Sequence, residues 1–351
     1  MKDKISTGII GFGLSGRYFF APFLSAHQGF TLKAILTSQN DEVGRLYPQA
    51  VVYSHVDELL NDIAIQLVIV ASPNYTHFEI ANKALLAGKH VVIEKPFTVT
   101  SKEAEELIGL AKQQQKKLVP FQNRRWDGDF LTVKKLIEEG TLGEVLEFES
   151  HFDRYRPDSE RVAWKNEFHP GVGTLYDLGP HLIDQALCLF GRPEWIYGDI
   201  RKHRPHGENP DSFEIQLHYP ITKVILKAGV MCREVGPRFI VHGRKGSFIK
   251  YGLDVQEQNL KDGILPGNPE LGKDIEANYG LLHVEDMCEV KRTRLCTEDG
   301  NYMEYFDNIY NAITANEGLK VTPYDGKLII EVIEKAKQSS NEKRLLPIYA
   351  P

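Results

Sequence analysis

A chain of 351 residues is long for one core and comfortable for two domains, and its 42% hydrophobic and 26% charged fractions are ordinary for a folded soluble protein. A formal net charge of -6 with a pI near 6.1 offers no global attraction to nucleic acid or to an anionic membrane surface. Four scattered cysteines (Cys188, Cys232, Cys288 and Cys296), with no Cys-x-x-Cys pair, argue against a zinc ribbon or a disulfide scaffold and fit a reducing cytoplasm.

The start, Met1-Lys2-Asp3-Lys4 followed by Ile5 to Gly13, has the outline of a signal peptide. Its apolar run is short, holds glycines and lacks a small-residue cleavage site, so it reads better as a first strand. No apolar stretch approaches the roughly 20 residues that span a bilayer. Thr7 to Ile10 is that strand, Ser15 to Ala26 is helical in pattern, and Leu32 to Thr37 and Gln66 to Ala71 are the second and third strands. A helix over Tyr75 to Leu86 is closed by Gly88, and His90 to Glu94 is another β-branched run. Thr100 with Glu103 forms a capping box for a helix reaching about Lys116, and Lys117 to Phe121 is one more strand. Continuous Val and Ile runs separated by helices predict a doubly wound parallel sheet, an α/β Rossmann domain over 1–122.

Beyond Asn123 the pattern changes. Phe130 to Glu138 and Leu175 to Leu189 read as helices, and Val145 to Phe152, Phe213 to Tyr219, Lys223 to Met231 and Phe239 to Lys250 as longer, alternating strands. Strands with few helices between them predict an antiparallel or mixed sheet, hence an α+β second domain over 123–351, separate from the first and expected to bind substrate. Gln256 to Tyr279, with several Gly, Pro and Asn, reads as a long loop, and Lys327 to Lys337 as a closing amphipathic helix (about 326–338) that could pack back on the first domain. There is no internal repeat and no low-complexity segment.

Gly11-Phe12-Gly13-Leu14-Ser15-Gly16 is G-x-G-x-x-G between the first strand and the first helix. The first glycine permits a tight turn, the second lets backbone approach a pyrophosphate, and the third lets helix and sheet pack closely. In that context the motif predicts dinucleotide binding; the alternative is a structural turn. NAD-preferring folds place an acid at the tip of the second strand, about 20 residues on. Here the tip is Leu36-Thr37-Ser38-Gln39-Asn40, with acids only at Asp41 and Glu42. A hydroxyl-rich tip does not repel a 2′-phosphate and Arg45 could reach one, so NADP(H) is favoured and NAD(H) stays possible. A tip that faces solvent and discriminates poorly is the plainer alternative.

Glu94-Lys95-Pro96 follows a strand of the parallel sheet at its carboxyl end, where open α/β sheets bind ligands. Lys95 could donate to a substrate hydroxyl or a developing alkoxide, and the X-Pro bond after it is where a cis peptide can occur. On composition alone, a surface lysine is the default.

The Gly-rich first loop, Ser72-Pro73-Asn74 with His77, and Ala87-Gly88-Lys89-His90-Val91-Val92-Ile93-Glu94-Lys95-Pro96 together resemble the Gfo/Idh/MocA oxidoreductase family. The resemblance runs over nearly the whole chain, through Glu139 to Gly143 and Gly173 to His181. Gln122-Asn123-Arg124-Arg125-Trp126-Asp127 and Asp153-Arg154-Tyr155-Arg156-Pro157 are similar to its NADP-dependent scyllo-inositol dehydrogenase branch. It implies a Rossmann domain followed by an α+β domain with a large open sheet that often makes the oligomer interface, hence a homo-oligomer, dimer or tetramer. It also implies a catalytic Lys95.

Asp177 and His181 are four apart and share a helix face, where an imidazole can exchange a proton beside a carboxylate. Asp184 on the same face raises a metal alternative, but no further ligand cluster accompanies it and no metal is expected. Capping and surface roles are the ordinary alternative, while the resemblance makes Asp177 and His181 catalytic. Asn74 and His77 open a helix at the end of the third strand, where they could contact cofactor or cap the helix; the cofactor set is completed by Ser72, Pro73, Glu94, Lys95 and Asn123. Arg124, Tyr155 and Trp164 could line a polyol pocket with Lys95 and His181, each equally open to simple packing, while His203 and His206 read as loop residues.

The expected activity is hydride transfer between NADP(H) and a secondary alcohol or ketone of a cyclic polyol or sugar, with Lys95, Asp177 and His181 converging from two domains beside the nicotinamide. Two other functions stay open: a glycosidase that uses tightly held NAD for transient oxidation, and a dinucleotide-sensing regulator without catalysis.

Overall fold

The computed structural model describes residues 4–158, 169–205, 208–286 and 289–348. Two compact units divide the chain: one takes in Met1–Asn123, Gln256–Leu271 and Asn301–Ile330, the other Arg124–Val255, Gly272–Gly300 and Glu331–Pro351.

The first unit is built on β1 (Ile5–Ile10), β2 (Phe30–Leu36), β3 (Val51–Tyr53), β4 (Leu67–Val70), β5 (His90–Ile93) and β6 (Leu118–Pro120), all paired in parallel in the order β3-β2-β1-β4-β5-β6. Every residue of β4 is buried, as expected of a central strand in a helix-flanked parallel sheet; the helices of this unit include α1 (Ala21–Ala26), α2 (Asn40–Leu46), α3 (Val56–Asn61), α4 (His77–Leu86) and α5 (Ser101–Gln113). Strand order reverses between β1 and β4, which opens a crevice at their carboxyl ends. Two local signals act as their chemistry dictates. Gly88, at φ +73°, ends α4 with Gly88 N donating to Leu85 O and Lys89 N to Ala84 O, the pair of bonds that satisfies the last carbonyls. At the start of α5, Thr100 Oγ1 accepts from Glu103 N at 3.2 Å while Glu103 Oε2 accepts from Thr100 N at 3.0 Å.

The helix expected over Ser15 to Ala26 is wound in two ways. Ser15–Phe20 is π-helical, with Ala21 N reaching back to Gly16 O, and α1 follows. Pro22 has no N–H to give the Tyr18 carbonyl, which breaks the regular ladder at this point.

The second unit carries a nine-stranded mixed sheet in the order β14-β13-β12-β11-β7-β10-β9-β8-β15. Its strands are β7 (Val145–His151), β8 (Trp195–Arg201), β9 (Ser212–His218), β10 (Lys223–Gly229), β11 (Phe239–Gly243), β12 (Gly246–Lys250), β13 (Gly280–Asp286), β14 (Glu289–Leu295) and β15 (Leu346–Pro347). Only β7 and β10 pair in parallel. Buried Phe213, Ile215 and Leu217 alternate with half-exposed neighbours along β9; of the helices α6 (Gly128–Glu138) and α7 (Thr174–Phe190), α7 lies against β9 and β10. Edge strand β14 is exposed and carries Lys291, Arg292 and Arg294, charges that discourage further strand pairing.

Several expectations are corrected. Phe239 to Lys250 is not one strand but a hairpin, turned by Arg244 and Lys245 between two glycines. Within the expected loop of Gln256 to Tyr279 lie α8 (Gln256–Lys261) and a short 3-10 turn (Glu276–Asn278). The closing helix α10 is longer than expected, Pro323–Glu342. Elements α2, β3, α3, β8, β13, β14, β15 and α9 (Met303–Thr314) were not legible. Of these α9 owes its position to long-range packing: Phe306 stacks on Phe23 at 5.1 Å between centroids, and Tyr305 Oη donates to Pro120 O at 3.0 Å.

Candidate functional site

The glycine loop runs from the end of β1 to the helical turn at Ser15. Gly11 has φ +102°, and a Cβ placed on it would stand 2.5 Å from Ala71 O, so only glycine lets β1 and β4 stay this close. At Gly16 a Cβ would stand 2.2 Å from Gly11 O, which closes the turn on itself. Gly13 is different, because a Cβ there meets nothing within 4 Å. The loop is tight on the protein side and open at its middle glycine, as a backbone cradle for a pyrophosphate requires. Phe12 contributes only backbone, since its ring is buried edge-on to Tyr47.

Ser15 Oγ donates to Glu94 Oε1 at 2.7 Å, joining the loop to the buried residue before Lys95. Lys95 is half-buried, and its peptide bond to Pro96 is cis. Across from it, after β4, Ser72 Oγ and Thr76 Oγ1 lie 2.7 Å apart, and Thr76 Oγ1 donates to Pro73 O at 2.7 Å in the 3-10 turn that holds buried Asn74. His77 is a brace between these turns: its Nδ1 is 2.9 Å from Pro96 O and its Nε2 3.0 Å from Ser72 O. Burial holds its pKa down at about 4; the two carbonyls pull the other way and the Lys95 ammonium adds to the depression. Its ring is therefore neutral at pH 7, and only one nitrogen carries a proton.

At the β2 tip, Thr37 Oγ1 accepts from Gln39 N at 3.1 Å, with Ser38 between them. Arg45 is exposed in the last turn of α2. The cation held at this tip is Arg17, which sequence reasoning missed; Nη2 donates to Gln39 Oε1 at 2.8 Å and pairs with Glu42. Its only signal in the sequence was its place directly after the third glycine. Asn123 is buried just beyond β6.

In the second unit, Asp177 and His181 stand one turn apart on α7. Pro180 lies between them inside the helix, removing the N–H that would bond the Tyr176 carbonyl. Asp177 Oδ2 accepts from Arg154 Nη2 at 3.3 Å, and His181 is buried. Asp184, only 2% exposed, receives Arg125 through two bonds, Nε to Oδ2 at 2.9 Å and Nη2 to Oδ1 at 2.6 Å. That fork occupies the second carboxylate of the metal alternative, and among the described residues no group of three or more His, Cys, Asp or Glu could hold a metal ion.

The same region holds a buried polar network with no local sequence signature. Arg238 donates through Nη2 to Gln185 Oε1 at 2.7 Å and through Nη1 to Ser150 Oγ, and its Nε faces Asp129 Oδ2 at 3.6 Å. Burial pulls the Arg238 pKa down, against the nearby Asp129 and Asp127 carboxylates. Gln185 Nε2 in turn donates to Arg124 O at 2.9 Å. Arg124 is buried, bonded to Asp127 Oδ2 at 3.1 Å and set over the Phe152 ring at 5.2 Å, so its guanidinium serves this network. Tyr155 is partly exposed, its Oη accepting from Arg233 Nη2 at 2.6 Å with the guanidinium 4.0 Å from the ring centroid. Trp164 and His206 lie outside the described residues, and His203 donates its N–H to Asp211 Oδ1 at 2.8 Å in a loop.

Comparison with known proteins covers both units. A family model described as "Oxidoreductase family, NAD-binding Rossmann fold" matches residues 5–121, and one described as "Oxidoreductase family, C-terminal alpha/beta domain" matches residues 134–348. The chain is 40% identical to scyllo-inositol 2-dehydrogenase (NADP(+)) IolW of Bacillus subtilis, over 98% of this chain and 96% of that one. It is 42% identical to the oxidoreductase YdgJ of Escherichia coli, over 99% of both chains. A solved oxidoreductase structure from Bacillus subtilis superposes with a TM-score of 0.95 at 39% identity, covering 98% of each chain. Among the described residues no helix is long and apolar enough to cross a membrane.

Proposed function

The chain belongs to the Gfo/Idh/MocA oxidoreductase family, and from that premise we propose that it transfers hydride between NADP(H) and a secondary alcohol or ketone on a cyclic polyol or sugar of the inositol kind. The observation that carries this is the Ser15–Glu94 hydrogen bond, which ties a glycine cradle of dinucleotide shape to the turn bearing Lys95. The substrate class rests on the name of the Bacillus subtilis relative.

When bound, the dinucleotide supplies the hydride chemistry. Backbone of Gly11, Phe12, Gly13, Ser15 and Gly16 would receive its phosphates, and Thr37 and Ser38 would bound its ribose. Ser72, Pro73 and Asn74 would flank it along the carboxyl end of β4, with Glu94 and Asn123 completing the cradle. The Lys95 ammonium donates to the substrate oxygen and steadies the charge that builds there. In the oxidation direction the His181 imidazole takes the hydroxyl proton as the carbon gives up hydride, and in reduction it returns that proton. Asp177 stabilises the imidazolium so formed, with Arg154 holding the carboxylate in place.

A panel of inositols, aldoses and ketoses scanned at 340 nm with NADP and NAD separately tests this. Cofactor reduction by at least one polyol, faster with NADP, is the expected result. Product formation without net cofactor reduction would favour transient oxidation instead, and tight dinucleotide binding without turnover of any compound would favour a sensor.

A further inference from the structure

Arg17 stands in the first turn after the glycine loop, yet its side chain runs back toward the segment that leaves β2. Nη2 donates to Gln39 Oε1 at 2.8 Å and pairs with the Glu42 carboxylate, and the guanidinium lies 5.8 Å from the centroid of the Phe12 ring. Its Nε is buried with no hydrogen-bond partner. Two thirds of the side chain is covered, since 33% of it is exposed. A planar fork of five donors is thus held at the tip of the second strand with donor capacity left over.

That tip is where dinucleotide-binding sheets read the adenosine ribose: a carboxylate accepts from the 2′-hydroxyl of NAD, and an arginine receives the 2′-phosphate of NADP. Arg45 is the arginine that spacing suggests, but it is exposed on the last turn of α2. Resting on the dinucleotide reading above, we propose that Arg17 is the ligand of the cofactor 2′-phosphate and that Glu42 is its resident counter-charge, displaced when the phosphate arrives. Gln39 is neutral, so it keeps the guanidinium placed without competing with an anion. Glu42 offers the arginine a single carboxylate, whereas a phosphate offers three strong acceptor oxygens and a charge near -2. The phosphate wins the contest for the fork, but the displaced carboxylate remains close to it and costs affinity. Glu42 thereby sets how strongly the site separates NADP from NAD.

Direct binding measures this without turnover. Calorimetric titration of wild type, Arg17→Gln, Arg17→Lys and Glu42→Gln would use NADP+, NAD+ and the fragments 2′,5′-ADP and ADP. Arg17→Gln should weaken NADP+ and 2′,5′-ADP by about 30-fold while NAD+ and ADP stay within about threefold. Arg17→Lys, which keeps the charge and loses the fork, should fall between. Glu42→Gln should tighten NADP+ by about fivefold, as loss of one nearby like charge would. Retained NAD+ affinity shows that each variant is folded at the site. If Arg17→Gln loses both dinucleotides equally, or leaves NADP+ untouched, the assignment of Arg17 is overturned; weaker NADP+ binding in Glu42→Gln overturns the counter-charge. Wild type that binds NAD+ but is indifferent to Arg17 sinks this inference alone, whereas wild type that binds neither dinucleotide sinks the cofactor reading with it.

Discussion

Ser15 and Glu94 are 79 positions apart in the chain, and Ser15 Oγ donates to Glu94 Oε1 at 2.7 Å. The residue after that glutamate is Lys95, so the phosphate cradle and the turn carrying the proposed catalytic amine are mechanically one piece. Ser15→Ala removes a hydrogen bond to a charged acceptor, a contact worth about 1.5–3 kcal/mol. Dinucleotide affinity should fall about tenfold, and Ser15→Thr, which keeps the hydroxyl, should recover most of it. A change smaller than twofold in Ser15→Ala would separate the loop from the lysine turn.

Lys95→Ala should cut turnover of the best polyol by about a thousandfold, within the range for loss of a positioned proton donor, while NADP+ affinity stays within about threefold. Steady-state rates paired with calorimetric binding would check it. Turnover near the wild-type rate would remove Lys95 from the chemistry.

Asp184→Ala should destabilise the second unit by about 3–5 kcal/mol, because it strands the Arg125 guanidinium that now forks onto that carboxylate. Asp184→Asn, which can still accept one bond, should cost less. Urea denaturation gives both values. Dialysis against a chelator should leave the melting temperature and turnover of wild type unchanged; a loss of either would restore the metal alternative.

Stability should decline as pH falls from about 6.5 to 4. Burial holds the pKa values of His77 and His90 at about 4, with Lys116 and Lys117 adding to the effect on His90. His90 Nδ1 accepts from Lys117 N at 2.9 Å, a bond that protonation there would break. In the unfolded chain both rings gain a proton near pH 6.5, while in the folded chain they do so only near 4, so acid favours unfolding throughout that window. Each ring should contribute a slope of up to about 1.4 kcal/mol per pH unit near pH 5. His151 has the opposite sign: burial lowers its pKa, but Asp153 and Glu149 outweigh burial and raise it, so its contribution is present below pH 6.5 and lost as pH rises through the folded value. Replacing His77 and His90 together with Gln should flatten the acid side of a melting-temperature profile; an unchanged slope would assign the loss to other groups.

The parallel half of the molecule was readable because its determinants are local. Continuous Val and Ile runs make strands that must be covered on both faces, Gly88 ends α4 and the Thr100–Glu103 box starts α5; each is a consequence of backbone sterics and of side chains a few residues apart. The tight glycine turn after β1 was legible for the same reason. Where the pattern misled, a local signal was ambiguous: the central pair Arg244-Lys245 is neither of the Asn-Gly kind nor glycine-led, as two-residue hairpin turns usually are, and β11 and β12 merged into one apparent strand.

Amino-acid order alone therefore dictated which segments coil or extend and where the glycine turn after β1 forms. Folding in three dimensions decided which charge answers which. Arg17 reaches Gln39 and Glu42 across 22 and 25 residues, Arg125 reaches Asp184 across 59, and Arg238 reaches Gln185 across 53. No periodicity encodes such pairs. A buried charge must find an opposite or hydrogen-bonding group to offset the loss of water, and which group lies within reach is known only once strands and helices have packed.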